Sequence, residues 1–173
     1  MGNPLDIICA RRSIRSYTNE SVSEEQIRVM LEAAMSAPSA GNRQPWEFVV
    51  VTAREKLDAL ADGHAHGKML YQAPLCIAVC GVPERSFPGI EQEYWIQDCC
   101  AAAENILIAA AGLGLGTVWL GVHPLKDRQE AIRKTLSIPD SVVPLCLIPV
   151  GHPMENKPAR TQYDEEKVHR EEW

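Results

Sequence analysis

The sequence predicts an α+β fold, and three observations lead there. Apolar, β-rich runs at 46–52, 75–81, 117–122 and 142–150 read as strands, with helical patterns among them. Strands and helices do not alternate in the regular manner of a parallel βαβ sheet. The chain's 173 residues, 46% apolar and 23% charged, suffice for one core, and no repeat or linker marks off a second domain. A single domain is therefore expected over 1–173, with 152–173 as a polar C-terminal extension.

The first helix starts at Asn3-Pro4-Leu5-Asp6, where Asn3 can cap and Pro4 suits the first helical position. It carries Leu5, Ile8 and Cys9 on one face and runs into Arg11-Arg12-Ser13-Ile14-Arg15. Ser23 and Gln26 make a capping box for a second helix, with Val22 able to staple against Ile27. Ile27, Met30, Leu31 and Ala34 recur at helical spacing until Pro38. Residues 38–45 are a loop by composition, and Phe48-Val49-Val50-Val51 lies in the first strand. A helix over 53–60 and an irregular 63–68 segment precede the second strand. Residues 83–93 read as a mobile loop. The longest helix, about 94–111, is apolar nearly all round and so should be the central buried helix. Glycines at 112 and 114 stop it before the third strand, 117–122. An amphipathic helix over 124–136 places Leu125, Ile132 and Leu136 on one side. The fourth strand has its prolines at its margins or at a sheet edge. Residues 152–173 bear too few apolar side chains to order themselves alone.

A net charge of −6 speaks against nucleic acid or an anionic membrane surface as the main partner. The longest apolar stretch, 106–122, holds four glycines and is short for a membrane span. The N-terminus lacks the basic and apolar regions of a signal peptide. Six cysteines without a Cys-x-x-Cys pair read as reduced and mostly structural, which fits a cytoplasmic location.

Several motifs give way on inspection. Gly112-Leu113-Gly114-Leu115-Gly116 follows a helix and precedes a strand, the reverse of a dinucleotide fingerprint. Gly63-x-x-x-Gly67-Lys68-Met69 is one residue short of a phosphate loop and has Met69 where Ser or Thr is required. His64 and His66 read as part of a solvated loop, with no carboxylate or Cys close in sequence to complete a metal site. No nucleophile elbow is present. The arginine cluster stands apart: Arg11 and Arg15, with Ser13 between, can converge on one phosphate if the segment turns.

Arg11-Arg12-Ser13-Ile14-Arg15-Ser16-Tyr17, followed by residues 33–48 with Pro38-Ser39-Ala40-Gly41-Asn42-Arg43-Gln44-Pro45-Trp46, resembles the FMN-dependent nitroreductase family. Gly114-x-Gly116-Thr117-x-Trp119-x-Gly121 and Val150-Gly151-His152-Pro153 resemble that family's later segments, in the same order. The resemblance implies a mixed, mostly antiparallel sheet flanked by helices, in a homodimer with FMN at the subunit interface. By it, Arg11, Arg12, Ser13 and Arg15 hold the FMN phosphate and ribityl end, and Arg160 returns to the phosphate, with Lys157 a second candidate. Pro38, Ser39 and Asn42 reach the flavin from the other subunit. Lys68 lies near the flavin N1/O2 edge, and Trp119, Leu120 and Gly121 pass by the ring. The C-terminal extension orders itself by wrapping the partner.

The activity so implied is an NAD(P)H oxidoreductase, reducing nitroaromatics, quinones or similar small acceptors by two electrons with ping-pong kinetics. The flavin N5 carries the chemistry, and neither a catalytic side chain nor a metal is needed. Other flavin chemistry on the same fold, reductive dehalogenation or flavin fragmentation, is a second possibility. A non-enzymatic binder of a small phosphorylated ligand is a third. The chain departs from the larger family members in its short 53–68 stretch and its short 83–94 region, where they carry substrate-covering helices.

Overall fold

A computed structural model of the chain describes residues 3–173. Its centre is a strand built from an uninterrupted apolar run. Every residue of β2 (Leu75–Gly81) is buried, as expected of a strand covered on both faces. Alternate side chains go to opposite sides: Leu75, Ile77 and Val79 join one core, and Cys76, Ala78 and Cys80 the other.

Around β2 the order is β1 (Trp46–Val51), β2, β5 (Val143–Gly151), then β3 (Gly116–Thr117), with β4 (Leu120–Gly121) also on β5. All of these ladders are antiparallel. The one parallel contact among the described residues is an isolated bridge from Ser13 to Thr117. The α+β class holds, and the sheet, expected to be mixed and mostly antiparallel, is antiparallel in every ladder among the described residues.

Helices cover both faces. α2 (Glu24–Met35) and α4 (Tyr94–Gly112) supply the first core, including Met30, Ala102, Ile106 and Ala110. The α2 capping box is present as read, with both Ser23–Gln26 hydrogen bonds. α3 (Arg54–Asp62) and α5 (Lys126–Leu136) supply the second core through Leu57, Leu60 and Ile132. α1 (Pro4–Ala10) buries no residue, and Leu5 and Ile8 are about half exposed.

Four expectations need correction. The third strand is not continuous but divides into β3 and β4. The cause is Pro149 on β5, which has no N–H to offer there; the Tyr17 hydroxyl lies 3.4 Å from its carbonyl instead. The β5 prolines lie near the ends of their strand, as one of the two expectations had it, but not at a sheet edge. β5 is interior, with Pro149 opposite the break and Pro144 beside the register shift at Val79/Cys80. α5 starts at Lys126, so Leu125 lies outside it and is exposed. Residues 83–93 form two 3₁₀ turns, Pro83–Arg85 and Gly89–Glu93. Arg85 pairs with Glu47 at 2.6 Å, and the Arg43 guanidinium stacks 4.5 Å over the Phe87 ring.

All six cysteines are free thiols, four of them buried in the sheet and α4. Burial pushes the Cys76 and Cys80 thiols up to about 12. Among the described residues, no helix is long and apolar enough to cross a membrane.

Candidate functional site

The arginine segment is an extended strip pinned by two inward side chains. Past Arg11, Ile14 and Tyr17 turn into the protein and are buried. The Ile14 amide donates to the Thr117 carbonyl at 2.8 Å, and the Tyr17 hydroxyl donates to the Ile14 carbonyl at 2.6 Å. Ile14 presses on Gly116 so closely that a Cβ there would lie 2.7 Å from it. With Ile14 and Tyr17 committed inward, Arg15 between them stays exposed.

The polar extension closes the other side of this strip. Met154 N–H donates to Ser16 (2.9 Å), Arg15 N–H to the Glu155 carboxylate (2.6 Å), and Lys157 Nζ to the Ser13 carbonyl (2.6 Å). The Arg12 guanidinium donates to the Pro158 carbonyl, and Arg160 N–H to that of Cys9 at 3.0 Å. Hydrogen bonds to the chain's own backbone thus order 153–160, something its apolar content could not do. Residues beyond are largely exposed, Trp173 completely.

Between strip and extension lies a cavity of about 160 Å³, lined among others by Arg11, Arg12, Gly114, Gly116, Glu155 and Lys157. The charges of the strip and the extension divide into two groups. Arg11 pairs with Glu104 at 3.4 Å, and Lys157 with Glu155 at 3.0 Å. The Arg15 N–H bond, and then Lys157, hold the Glu155 carboxyl below its ordinary range. The side chains of Arg15 and Arg160 have no ion pair or hydrogen bond among the described residues. Gly114, at φ +74, has open space where a side chain would stand. The lining Arg11, Arg12 and Lys157, with Arg15 and Arg160 on the neighbouring segments, make a cationic surround suited to an anion.

Of two further predicted segments, the first touches the strip and the second follows β3, which bridges to it at Ser13. Lys68 is exposed on the turn Lys68–Tyr71, whose Met69 packs against Ile14, Tyr17 and Ala73. β4 holds Leu120 buried and Gly121 half-buried, with Trp119 just before it; a Cβ on Gly121 would meet nothing within 4 Å.

Pro38, Ser39 and Asn42 are elsewhere. Their loop sits at the opposite end of α4, where Ala40 N–H donates to Asp98 at 3.0 Å. Asp98 and Ala111, which lines the cavity, are about 20 Å apart along the helix axis. The loop is tightly wound, with φ +57 at Gly41, +53 at Asn42 and +50 at Gln44. Within one chain it does not meet the arginines.

Two residues escaped the sequence reading. His64 is buried, not solvated, and its Nε2 lies 2.9 Å from the Gly121 carbonyl. The hint was the glycine pair around it: a Cβ on Gly67 would approach the His64 carbonyl to 3.0 Å, so the turn needs glycine and closes tightly enough to send the imidazole inward. Asp98 is buried with its Oδ2 lacking a partner among the described residues. Nothing in an apolar helical run announces such a carboxylate.

The Nitroreductase family model matches residues 8–67 and 63–152. The chain belongs to the nitroreductase family. A Methanothermobacter thermautotrophicus relative, provisionally named an NADH dehydrogenase/NAD(P)H nitroreductase, is 46% identical over 170 residues, covering 98% of this chain and 87% of its own. A Bacteroides thetaiotaomicron structure with the same provisional name superposes with TM-score 0.93 at 46% identity, covering 100% of both chains. A Desulfovibrio desulfuricans protein, provisionally a nitroreductase and solved in complex with FMN, gives TM-score 0.84 at 31% identity, covering 100% and 99%. The nitroreductase match includes the arginine segment, the 38–45 loop, Lys68 and Trp119–Gly121, whereas Lys157 and Arg160 lie beyond it.

Proposed function

We propose that the chain is an FMN-dependent NAD(P)H oxidoreductase that reduces small flat acceptors such as quinones and nitroaromatics. The observation that carries this reading is the cavity beside Arg11–Arg15. In a chain of net charge −6, Arg11, Arg12 and Lys157 line it, while Arg15 on the strip and Arg160 on the extension have no side-chain partner among the described residues. A phosphate group fits such a donor set, since guanidinium groups bind it through paired, charge-assisted hydrogen bonds.

In this reading Arg15 and Arg160 hold the FMN phosphate, with Arg11, Arg12 and Ser13 framing its phosphate and ribityl end. When bound, FMN supplies the redox chemistry, accepting two electrons from NADH or NADPH and passing them to the acceptor. Lys68 offers an ammonium to offset negative charge at the N1/O2 edge. Trp119, Leu120 and Gly121 line the ring, the open Cα face of Gly121 leaving room beside it. Donor and acceptor use the same ring face in turn, so the kinetics are ping-pong. No side chain acts as a nucleophile.

The site is completed by a second copy of the chain. Pro38, Ser39 and Asn42 are too far from the arginines to serve the same ligand within one chain, and the partner's loop takes that place. The exposed Leu5 and Ile8 of α1 and the exposed end of the polar extension are the surfaces such a dimer covers, the extension wrapping the partner. All of this occupies one domain over 1–173.

The test is an FMN titration followed by flavin fluorescence, then NADH and NADPH oxidation with a quinone and with a nitroaromatic. Saturable FMN binding with acceptor-dependent oxidation is expected. Binding without oxidation would leave only a holder of a phosphorylated ligand.

A further inference from the structure

We propose that His64 is a positioning residue of the flavin site, tying the Lys68 turn to the Trp119–Gly121 segment through a hydrogen bond from its Nε2 to the Gly121 carbonyl. The inference rests on the flavin reading above for what the two segments contact. The tie itself is independent of it.

His64 is only 3% exposed. Its Nε2 is 2.9 Å from the Gly121 carbonyl, and its Nδ1 accepts the His66 backbone N–H at 3.2 Å. Only the neutral Nε2–H tautomer satisfies both contacts, because the Nδ1 faces a donor and the Nε2 an acceptor; the Arg128 Nη1 that also lies 3.5 Å from Nε2 is directed to the Gly121 carbonyl at 2.9 Å. Arg128 of α5 donates to the same carbonyl at 2.9 Å, so both lone pairs of Gly121 are taken. The N–H of the same peptide unit, on Val122, donates to Leu145 at 3.0 Å. This peptide is therefore held on both sides and cannot rotate.

The path continues toward Lys68. The His64 carbonyl accepts from Gly67 at 2.7 Å, and the Gly67 carbonyl from Leu70 at 2.8 Å. Arg54 of α3 closes the far end, donating to the carbonyls of Leu70 and Ala73. A continuous run of hydrogen bonds thus links Gly121 to the turn that bears Lys68. Two segments from different parts of the sequence must keep a fixed spacing to contact one rigid ring, and His64 joins them.

The charges facing the imidazole come from Arg128 on α5 and His66 on its own loop. Burial, reinforced by these two, lowers its tendency to take up a proton. The neutral clamp therefore persists at physiological pH.

The test pairs His64→Leu, which removes the donor, with His64→Gln, whose side-chain amide can replace it. FMN affinity is read by fluorescence, and ring environment by the visible circular dichroism of bound FMN. We expect His64→Leu to raise the FMN Kd about tenfold and change the dichroic band, the loss of one hydrogen bond, and His64→Gln to restore both. Wild-type affinity and an unchanged band in His64→Leu would overturn the proposal. The ¹⁵N spectrum of histidine-labelled wild-type protein at pH 7 tests the tie without FMN or any variant. It should show His64 neutral and protonated at Nε2; a charged ring or the Nδ1–H form would also overturn it. A wild-type protein that takes up no FMN would instead refute the flavin reading, leaving the tautomer measurement to judge the tie.

Discussion

At the scale of single residues, the basic side chains differ in what they are free to do. The Arg15 side chain is exposed and without a partner among the described residues, whereas Arg11 already faces Glu104 and Arg12 the Pro158 carbonyl. Arg15→Ala should therefore weaken FMN binding by about 1.5–3 kcal/mol, the worth of a hydrogen bond to a charged group. Arg11→Ala should cost less, because its ion pair already competes for the guanidinium. Fluorescence titration of the two variants checks the order; equal affinity to wild type in both would remove the phosphate assignment.

His64 also gives a pH dependence with a definite sign. Its pKa in the folded protein lies below the ordinary 6.5, so the unfolded chain binds the extra proton more readily. Its contribution to stability is complete above about pH 6.5 and is lost as the pH falls from there through the folded-state pKa. Urea denaturation of wild type and His64→Gln, at pH 7.5 and stepwise down to pH 5, should show a smaller loss of stability in the variant. Parallel losses would contradict the assignment.

At the scale of elements, helices and strands followed from patterns that local physics controls. The Ser23–Gln26 capping box, the run of β2 and the glycine stop after α4 all stand where the residues placed them. What failed depended on neighbours far away in sequence. The split of 117–122 into β3 and β4 follows from Pro149 on another strand, and the inward turn of His64 from a carbonyl 57 residues on. Charge and loop composition made the arginine strip and the 38–45 loop visible, but nothing local reveals which guanidinium is spent on an internal partner. The strip also depends on one contact between elements. Gly116→Ala would force a Cβ to 2.7 Å from Ile14 and 2.8 Å from its Cβ, so the backbone must move. That overpacking should destabilise by about 1–3 kcal/mol and weaken FMN binding together, as measured by thermal melts and titration.

At the scale of the whole molecule, the proposed flavin site, with the 38–42 loop separated from the arginines along α4, would be a property of two chains. Sedimentation should give a dimer. Mixing an Arg15→Ala/Arg160→Ala variant with an Asn42 loop variant, each inactive alone, should restore activity. Half of the randomly mixed dimers carry one intact site, so about a quarter of the wild-type rate is expected. No recovery would mean that each chain builds its site alone. The most direct measurement is the visible spectrum of the FMN-incubated, desalted protein, taken before and after anaerobic addition of NADH or NADPH. A yellow protein whose bands bleach with the nucleotide and return on adding a quinone is predicted. A colourless protein that retains no FMN would contradict the account.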